Sequence, residues 1–213
     1  MLGHITSTHP PTKLTLSLSL LSLQMFADIA GFTAWSSERE PSQVFKLLET
    51  LYHEFDTIAK RLDVFKVETI GDCYVAVSGL PEPNKDHAKI MARFAYEILL
   101  STNHLTQQLE AVLGPGTSDL GLRIGLHSGP VTAGVLRGAK SRFQLFGDTM
   151  NTASRIESTG QAGHIQASQE TAELISKAGK DYWLTKREGT ITAKGKGELQ
   201  VCYVYDIFFI YYV

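Results

Sequence analysis

A chain of 213 residues with 43% hydrophobic and 20% charged side chains is long enough to bury one good-sized core, and it reads as a single soluble globular domain. Its formal net charge of -2 leaves no basic footprint, which argues against nucleic acid as the main partner. Two cysteines, Cys73 and Cys202, are too few for a disulfide framework and fit a reducing compartment.

No apolar run reaches the roughly eighteen residues of a spanning helix. Residues 1–13, with Pro10-Pro11, read as a disordered lead-in. From Leu14 the Leu/Ser alternation has period two, a half-buried strand running into Asp28. A signal peptide over the same stretch is the weaker reading, because cleavage would remove the strand that delivers Asp28. Ser42 to Leu62 carries Val44, Leu47, Leu48, Leu51, Phe55, Ile58 and Leu62 at helical spacing, with Pro41 near its start. Val64 to Ile70 and Cys73 to Ser78 read as two strands of a hairpin, with Gly71-Asp72 as its tip. A second long helix follows from Asp86 to about Leu113, stopped by Gly114-Pro115-Gly116.

Leu120 to His127 and Val131 to Leu136 read as two strands around Ser128-Gly129-Pro130, and Arg142 to Phe146 as a third. The last feeds a helix with Asp148 as its N-cap. A strand near Ile165, a helix from Ser168 to Ala178 closed by Gly179, and strands near Trp183 and Val201 complete the order. The expected class is α+β, with helices on one face of a mostly antiparallel sheet. The apolar tail 207–213 reads as a last strand or an artefact, in preference to an interface or the start of a membrane contact, since seven residues cannot span a bilayer.

The chemistry gathers around Phe26-Ala27-Asp28-Ile29-Ala30-Gly31-Phe32-Thr33. A carboxylate at a strand end, beside the free amides of a helix start, suits a metal ion carrying a phosphate. One aspartate cannot hold a catalytic metal alone, and a second stands in Lys66-Val67-Glu68-Thr69-Ile70-Gly71-Asp72. With Phe146-Gly147-Asp148-Thr149-Met150-Asn151-Thr152-Ala153-Ser154-Arg155 and Lys194-Gly195-Lys196-Gly197, four motifs recur in order. Over about Met25 to Asp206 the chain resembles the class III adenylate/guanylate (nucleotidyl) cyclase catalytic domain. That resemblance implies a domain over 14–206 with a ferredoxin-like core, its mostly antiparallel sheet covered by helices.

The same resemblance implies a reaction and a site. A purine nucleoside triphosphate is cyclised to its 3′,5′-cyclic monophosphate, with pyrophosphate expelled. Two divalent ions, Mg²⁺ or Mn²⁺, about 3.5 to 4 Å apart, would be held by Asp28, Asp72 and the Ile29 carbonyl. Ala30, Gly31, Phe32 and Thr33 would cradle the triphosphate, and Lys194 would take its terminal phosphates, with Lys196 as understudy. Asn151 and Arg155, four apart on one helix face, would orient the ribose and neutralise the α-phosphate. Arg137, Lys140 and Arg142 read as solvated charge. On their own, Asp72 is also an ordinary turn residue, Gly31 a turn glycine, and Asn151 with Arg155 a solvated helix face.

Purine choice rests on two positions. Glu68 stands where relatives that make cyclic GMP carry Glu and those that make cyclic AMP carry Lys, and a carboxylate fits the donors of guanine. Gln144 departs from both family patterns, and its amide serves either base. GTP is therefore favoured as substrate, with ATP the alternative. The family's site lies between two domains, so the resemblance implies a head-to-tail homodimer with shared sites. It also implies a cytoplasmic chain, or the cytoplasmic domain of a longer membrane-associated receptor. Two rivals remain: a regulatory module that binds nucleotide without catalysis, and another two-metal nucleotidyl transferase, whose Gly-Gly-Asp/Glu-Glu-Phe type signature is absent.

Overall fold

The computed structural model describes residues 18–136, 142–193 and 196–205. The lead-in 1–13, the tail 207–213, Lys194, Arg137 and Lys140 lie outside the described residues. Strand β1 (Leu18–Ala30) ends at the short helix α1 (Phe32–Ser37), and helix α2 (Pro41–Leu62) follows. Strands β2 (Phe65–Ile70) and β3 (Cys73–Ser78) form the expected hairpin, and helix α3 (His87–Leu113) comes next. Strand β4 (Gly121–Leu136), strand β5 (Arg142–Phe146) and helix α4 (Asp148–Ser158) build the centre. Strand β6 (His164–Ser168), helix α5 (Gln169–Lys177), and strands β7 (Leu184–Lys186), β8 (Ile191–Ala193), β9 (Gly197–Leu199) and β10 (Val201–Val204) close the described chain.

The main sheet runs β2-β3-β1-β4-β6-β10-β7, with β5 also on β4, and all its pairings but β4/β6 are antiparallel. Alternation along β1 sorts its two faces. Leu23, Met25, Ala27 and Ile29 join Leu47, Leu51 and Phe55 of α2, Met91, Phe94 and Ile98 of α3 and Ile175 of α5 in one buried core. Burying these apolar side chains is the main stabilising term.

Three expectations are corrected. The stretch from 120 to 136 is one strand, not two. Pro130 pairs with Leu21 across β1, but it lies beyond the β6 partners and before the β5 partners of β4. Its carbonyl takes a hydrogen bond from the Thr149 hydroxyl at 2.6 Å, so its missing N–H falls on an unpaired side of the strand. The N-cap of α4 is Gly147, and Asp148 is its first residue. The helices also occupy both faces, since α4 packs on the side of the sheet opposite α2 and α3.

Glycine makes that last arrangement possible. A Cβ at Gly125 would lie 2.5 Å from Glu157 Cα and 2.7 Å from the Ala153 carbonyl oxygen, and closer still to the Glu157 amide nitrogen. The backbone of α4 is thus seated directly on β4. Gly125→Ala is expected to destabilise the fold by about 3 kcal/mol or more, because backbone has to move. Urea unfolding followed by circular dichroism reads this as a lower midpoint.

Candidate functional site

The two carboxylates singled out from the sequence meet. Asp28 faces Cys73 of β3 on one side and Arg123 of β4 on the other. Asp72 sits at the tip of the β2–β3 hairpin, where Gly71 takes φ 62, a left-handed conformation natural to glycine. Burial raises the Asp28 carboxyl above its ordinary value, the charge of Asp72 raises it further, and Arg123 opposes both. Two hard-oxygen groups that repel one another are a donor set that a divalent cation would relieve. Among the described residues no group of three or more His, Cys, Asp and Glu side chains forms a metal cluster. The pair fits a metal only with further oxygen from backbone or ligand, and the Ile29 carbonyl is adjacent in the chain.

Beside the pair, Gly31 is the N-cap of α1 at φ 86, and no side chain caps that first turn. Its amides therefore lack a side-chain acceptor within the cap. The helix is held by Trp35, which is buried and donates through Nε1 to Thr117 Oγ1 at 3.1 Å. The phenol of Tyr52, on α2, donates to the Gly71 carbonyl at 3.0 Å and so ties the hairpin tip to the helix layer. Burial, then Asp72, raises the Tyr52 hydroxyl, which stays a donor. Burial also pushes the Cys73 thiol up to about 12, so it is no nucleophile at neutral pH.

On α4, Asn151 is exposed and Arg155 half-buried, on the side away from Thr152, Ala153 and Ile156. Lys196 pairs with Asp148 at the start of the same helix. Glu68 is exposed on β2, just past a bulge between Lys66 and Glu68, and Gln144 is half-buried on β5. Their strands meet through Phe65 and Phe143, whose ring centroids are 4.9 Å apart.

Two residues escaped the sequence reading. Arg123 donates from Nη2 to Asp28 at 2.9 Å and from Nε to Glu157 at 2.5 Å. Glu157 is 7% exposed; burial raises its carboxyl and Arg123 lowers it. The available signal was the alternation Leu122-Arg123-Ile124-Gly125-Leu126, which sets a charge and a glycine together on the face opposite the core.

A layered α+β sheet with an aspartate pair at one end, an uncapped helix start beside it and a polar helix on the same face defines a nucleotidyl cyclase type of domain. The sequence matches the Adenylate and Guanylate cyclase catalytic domain over residues 22–206, and the chain belongs to that family. It is 47% identical over 175 residues to the receptor-type guanylate cyclase Gyc76C of Drosophila melanogaster, an alignment covering 82% of this chain and 11% of that receptor. The chain thus spans a small part of the length of that curated relative. Among solved structures, the guanylate cyclase domain of RhGC from Catenaria anguillulae in complex with GTP superposes with a TM-score of 0.75 at 39% identity, covering 88% of this chain and 97% of that one. A non-canonical dimeric guanylyl cyclase domain of the RhoGC fusion protein from Blastocladiella emersonii gives 0.73 at 36% identity, covering 88% and 97%. No helix among the described residues is long and apolar enough to cross a membrane.

Proposed function

We propose that this chain is a guanylate cyclase catalytic domain that converts GTP to 3′,5′-cyclic GMP and pyrophosphate. The observation that carries the reading is the meeting of Asp28 and Asp72 beside the uncapped start of α1. In the reaction the ribose 3′-oxygen forms a bond to the α-phosphorus, the bond from that phosphorus to the bridging oxygen of the β-phosphate breaks, and the hydroxyl proton is lost. Two divalent cations, Mg²⁺ or Mn²⁺, held by Asp28, Asp72 and the Ile29 carbonyl, would supply Lewis acidity towards the hydroxyl and the leaving phosphates when bound.

The chain's own residues then divide the work. Backbone amides over Ala30, Gly31, Phe32 and Thr33 face the phosphates, with the local positive potential of a helix start. Arg155 opposes the charge that grows on the α-phosphate, and Asn151 orients the ribose. Lys194 takes the terminal phosphates. Glu68 accepts from the N1–H and N2–H₂ of guanine, while the Gln144 amide donates to O6. One subunit supplies the Asp28 and Asp72 half, and its partner supplies Glu68, Gln144, Asn151, Arg155 and Lys194, in a head-to-tail homodimer with two equivalent sites. As part of a longer receptor, the domain would lie on the cytoplasmic side.

ATP is the second reading, favoured by the neutrality of Gln144. The test is product formation by purified protein with Mn²⁺, offering GTP and ATP separately and measuring cyclic GMP, cyclic AMP and pyrophosphate. Cyclic GMP is expected to dominate, and Glu68→Lys with Gln144→Asp to turn the ratio towards cyclic AMP. With the base enclosed between the two subunits, a polar group left unpaired there costs about 1 to 3 kcal/mol, roughly five-fold to 150-fold in that ratio. Equal use of both nucleotides would remove the role given to Glu68. No product from either, by a dimer that binds them, would leave the regulatory module in its place.

A further inference from the structure

We infer that Thr117 and Arg39 are positioning residues that hold the phosphate-binding segment in place, with Trp35 as the link; this rests on the assignment of Ala30 to Thr33 to the triphosphate. The geometry is a clasp. Helix α1 and the start of α2 lie along the connection between α3 and β4, and their contacts step down both segments in turn. A Cβ at Gly31 would stand 3.5 Å from Leu120 Cδ2. The buried Trp35 donates through Nε1 to Thr117 Oγ1 at 3.1 Å, across 82 residues of sequence. Arg39 places its Cζ 5.3 Å from the centre of the Trp35 ring and donates from Nη2 to the Pro115 carbonyl at 2.5 Å. Gln43 then donates through Nε2 to the Leu113 carbonyl at 3.3 Å.

Thr117 is the centre of the clasp. It is fully buried, and while its oxygen accepts from the indole, its hydroxyl donates to the Gly114 carbonyl at 2.7 Å and closes the turn in which it sits. One hydroxyl thus serves as donor and acceptor at once. Helix α1 needs such an anchor, because its six residues make less than two turns, too short a run to persist as a helix by itself. With the clasp closed, the amides of Ala30 to Thr33 are in place before the phosphates arrive. With it open, the segment has to be ordered on binding, and the apparent affinity for a phosphate chain falls to the fraction of molecules in the closed form. Saturating GTP orders the segment in either case. The loss therefore falls on KM and not on kcat.

The test is binding of inorganic tripolyphosphate in the presence of Mn²⁺, by isothermal titration calorimetry on the whole chain, with steady-state kinetics on GTP beside it. Thr117→Val keeps the shape of the side chain and removes its hydroxyl. It is expected to weaken tripolyphosphate about ten-fold, the scale of one buried hydrogen bond lost, and to raise KM for GTP by the same factor with kcat nearly unchanged. Thr117→Ser, which keeps the hydroxyl, is expected to restore both. Arg39→Ala removes the outer half of the clasp without touching Thr117; it is expected to weaken tripolyphosphate several-fold, and it carries the test should Thr117→Val not fold. Cyclic GMP, which has no phosphate chain to lay on the segment, is expected to bind all these proteins alike. Tripolyphosphate binding that ignores both Thr117→Val and Arg39→Ala overturns the inference, as do equal losses in Thr117→Val and Thr117→Ser, or a loss for cyclic GMP as large as that for tripolyphosphate. An unaltered protein that binds no tripolyphosphate with Mn²⁺ overturns the assignment of Ala30 to Thr33 and this inference with it.

Discussion

Asp72→Ala is expected to lower cyclic GMP formation about a thousand-fold or more. Metal Lewis acidity is worth several kcal/mol of transition-state stabilisation, and each 1.36 kcal/mol is about a factor of ten in rate. The fold is expected to survive. Asp72 lies at a hairpin tip, and its charge helps to raise the Asp28 carboxyl, so its removal relieves repulsion within the pair. A thermal unfolding midpoint at or above that of the unaltered protein, together with lost turnover, would separate chemistry from folding. Retained turnover with Mn²⁺ and GTP would place the metal elsewhere.

Arg155→Ala is expected to reduce kcat by roughly 100-fold to 1,000-fold, the scale for removing one preorganised group aimed at developing charge. In the proposed reaction the guanidinium would oppose charge that grows only as the new bond forms. KM for GTP is therefore expected to change little, the mark of an interaction made in the transition state and not before. The buried face of α4, with Thr149, Thr152, Ala153 and Ile156, is left intact by the change. A large rise in KM with unaltered kcat would instead make Arg155 a ground-state binding residue.

The sequence reading succeeded where one strong period governs one segment. The run into Asp28 marks β1, although residues 14–17, where the Leu/Ser alternation begins, lie outside the described residues; the helical stripe from Val44 to Leu62 marks α2, and Gly71-Asp72 between two strand-like runs marks the β2–β3 hairpin. It failed where neighbours decide. Pro130 reads as a break on local chemistry, yet it sits in a strand because no partner requires its N–H on that side. Asp148 has the side chain of a cap, but the chain enters α4 through Gly147 at φ 140, and Asp148 is already helical and paired with Lys196.

The candidate site divides in the same way. Asp28 and Asp72 were legible because each stands at a turn that ends an apolar run. Arg123 and Glu157 were not, because they are 34 residues apart in sequence and each is ordinary alone. On β4 the face carrying Arg123, Gly125 and His127 alternates as a solvent-facing side would. Only the packing of α4 into the space left by Gly125 turns that face inward and pairs Arg123 with a buried carboxylate. Alternation identifies a face; it does not say what will cover it.

The shared-site dimer is the claim on which the assignment of residues to halves depends, and subunit mixing tests it most directly. Asp72→Ala and Arg155→Ala proteins, each nearly inactive, are unfolded, combined in equal amounts and refolded, and cyclic GMP formation is measured with Mn²⁺ and GTP. In a head-to-tail dimer a mixed pair has one site with both lesions and one with neither. Random pairing then restores about a quarter of the unaltered activity. A mixture no more active than its two components, though shown to contain mixed dimers, would mean that Asp72 and Arg155 serve the same site from one subunit, and would contradict the account.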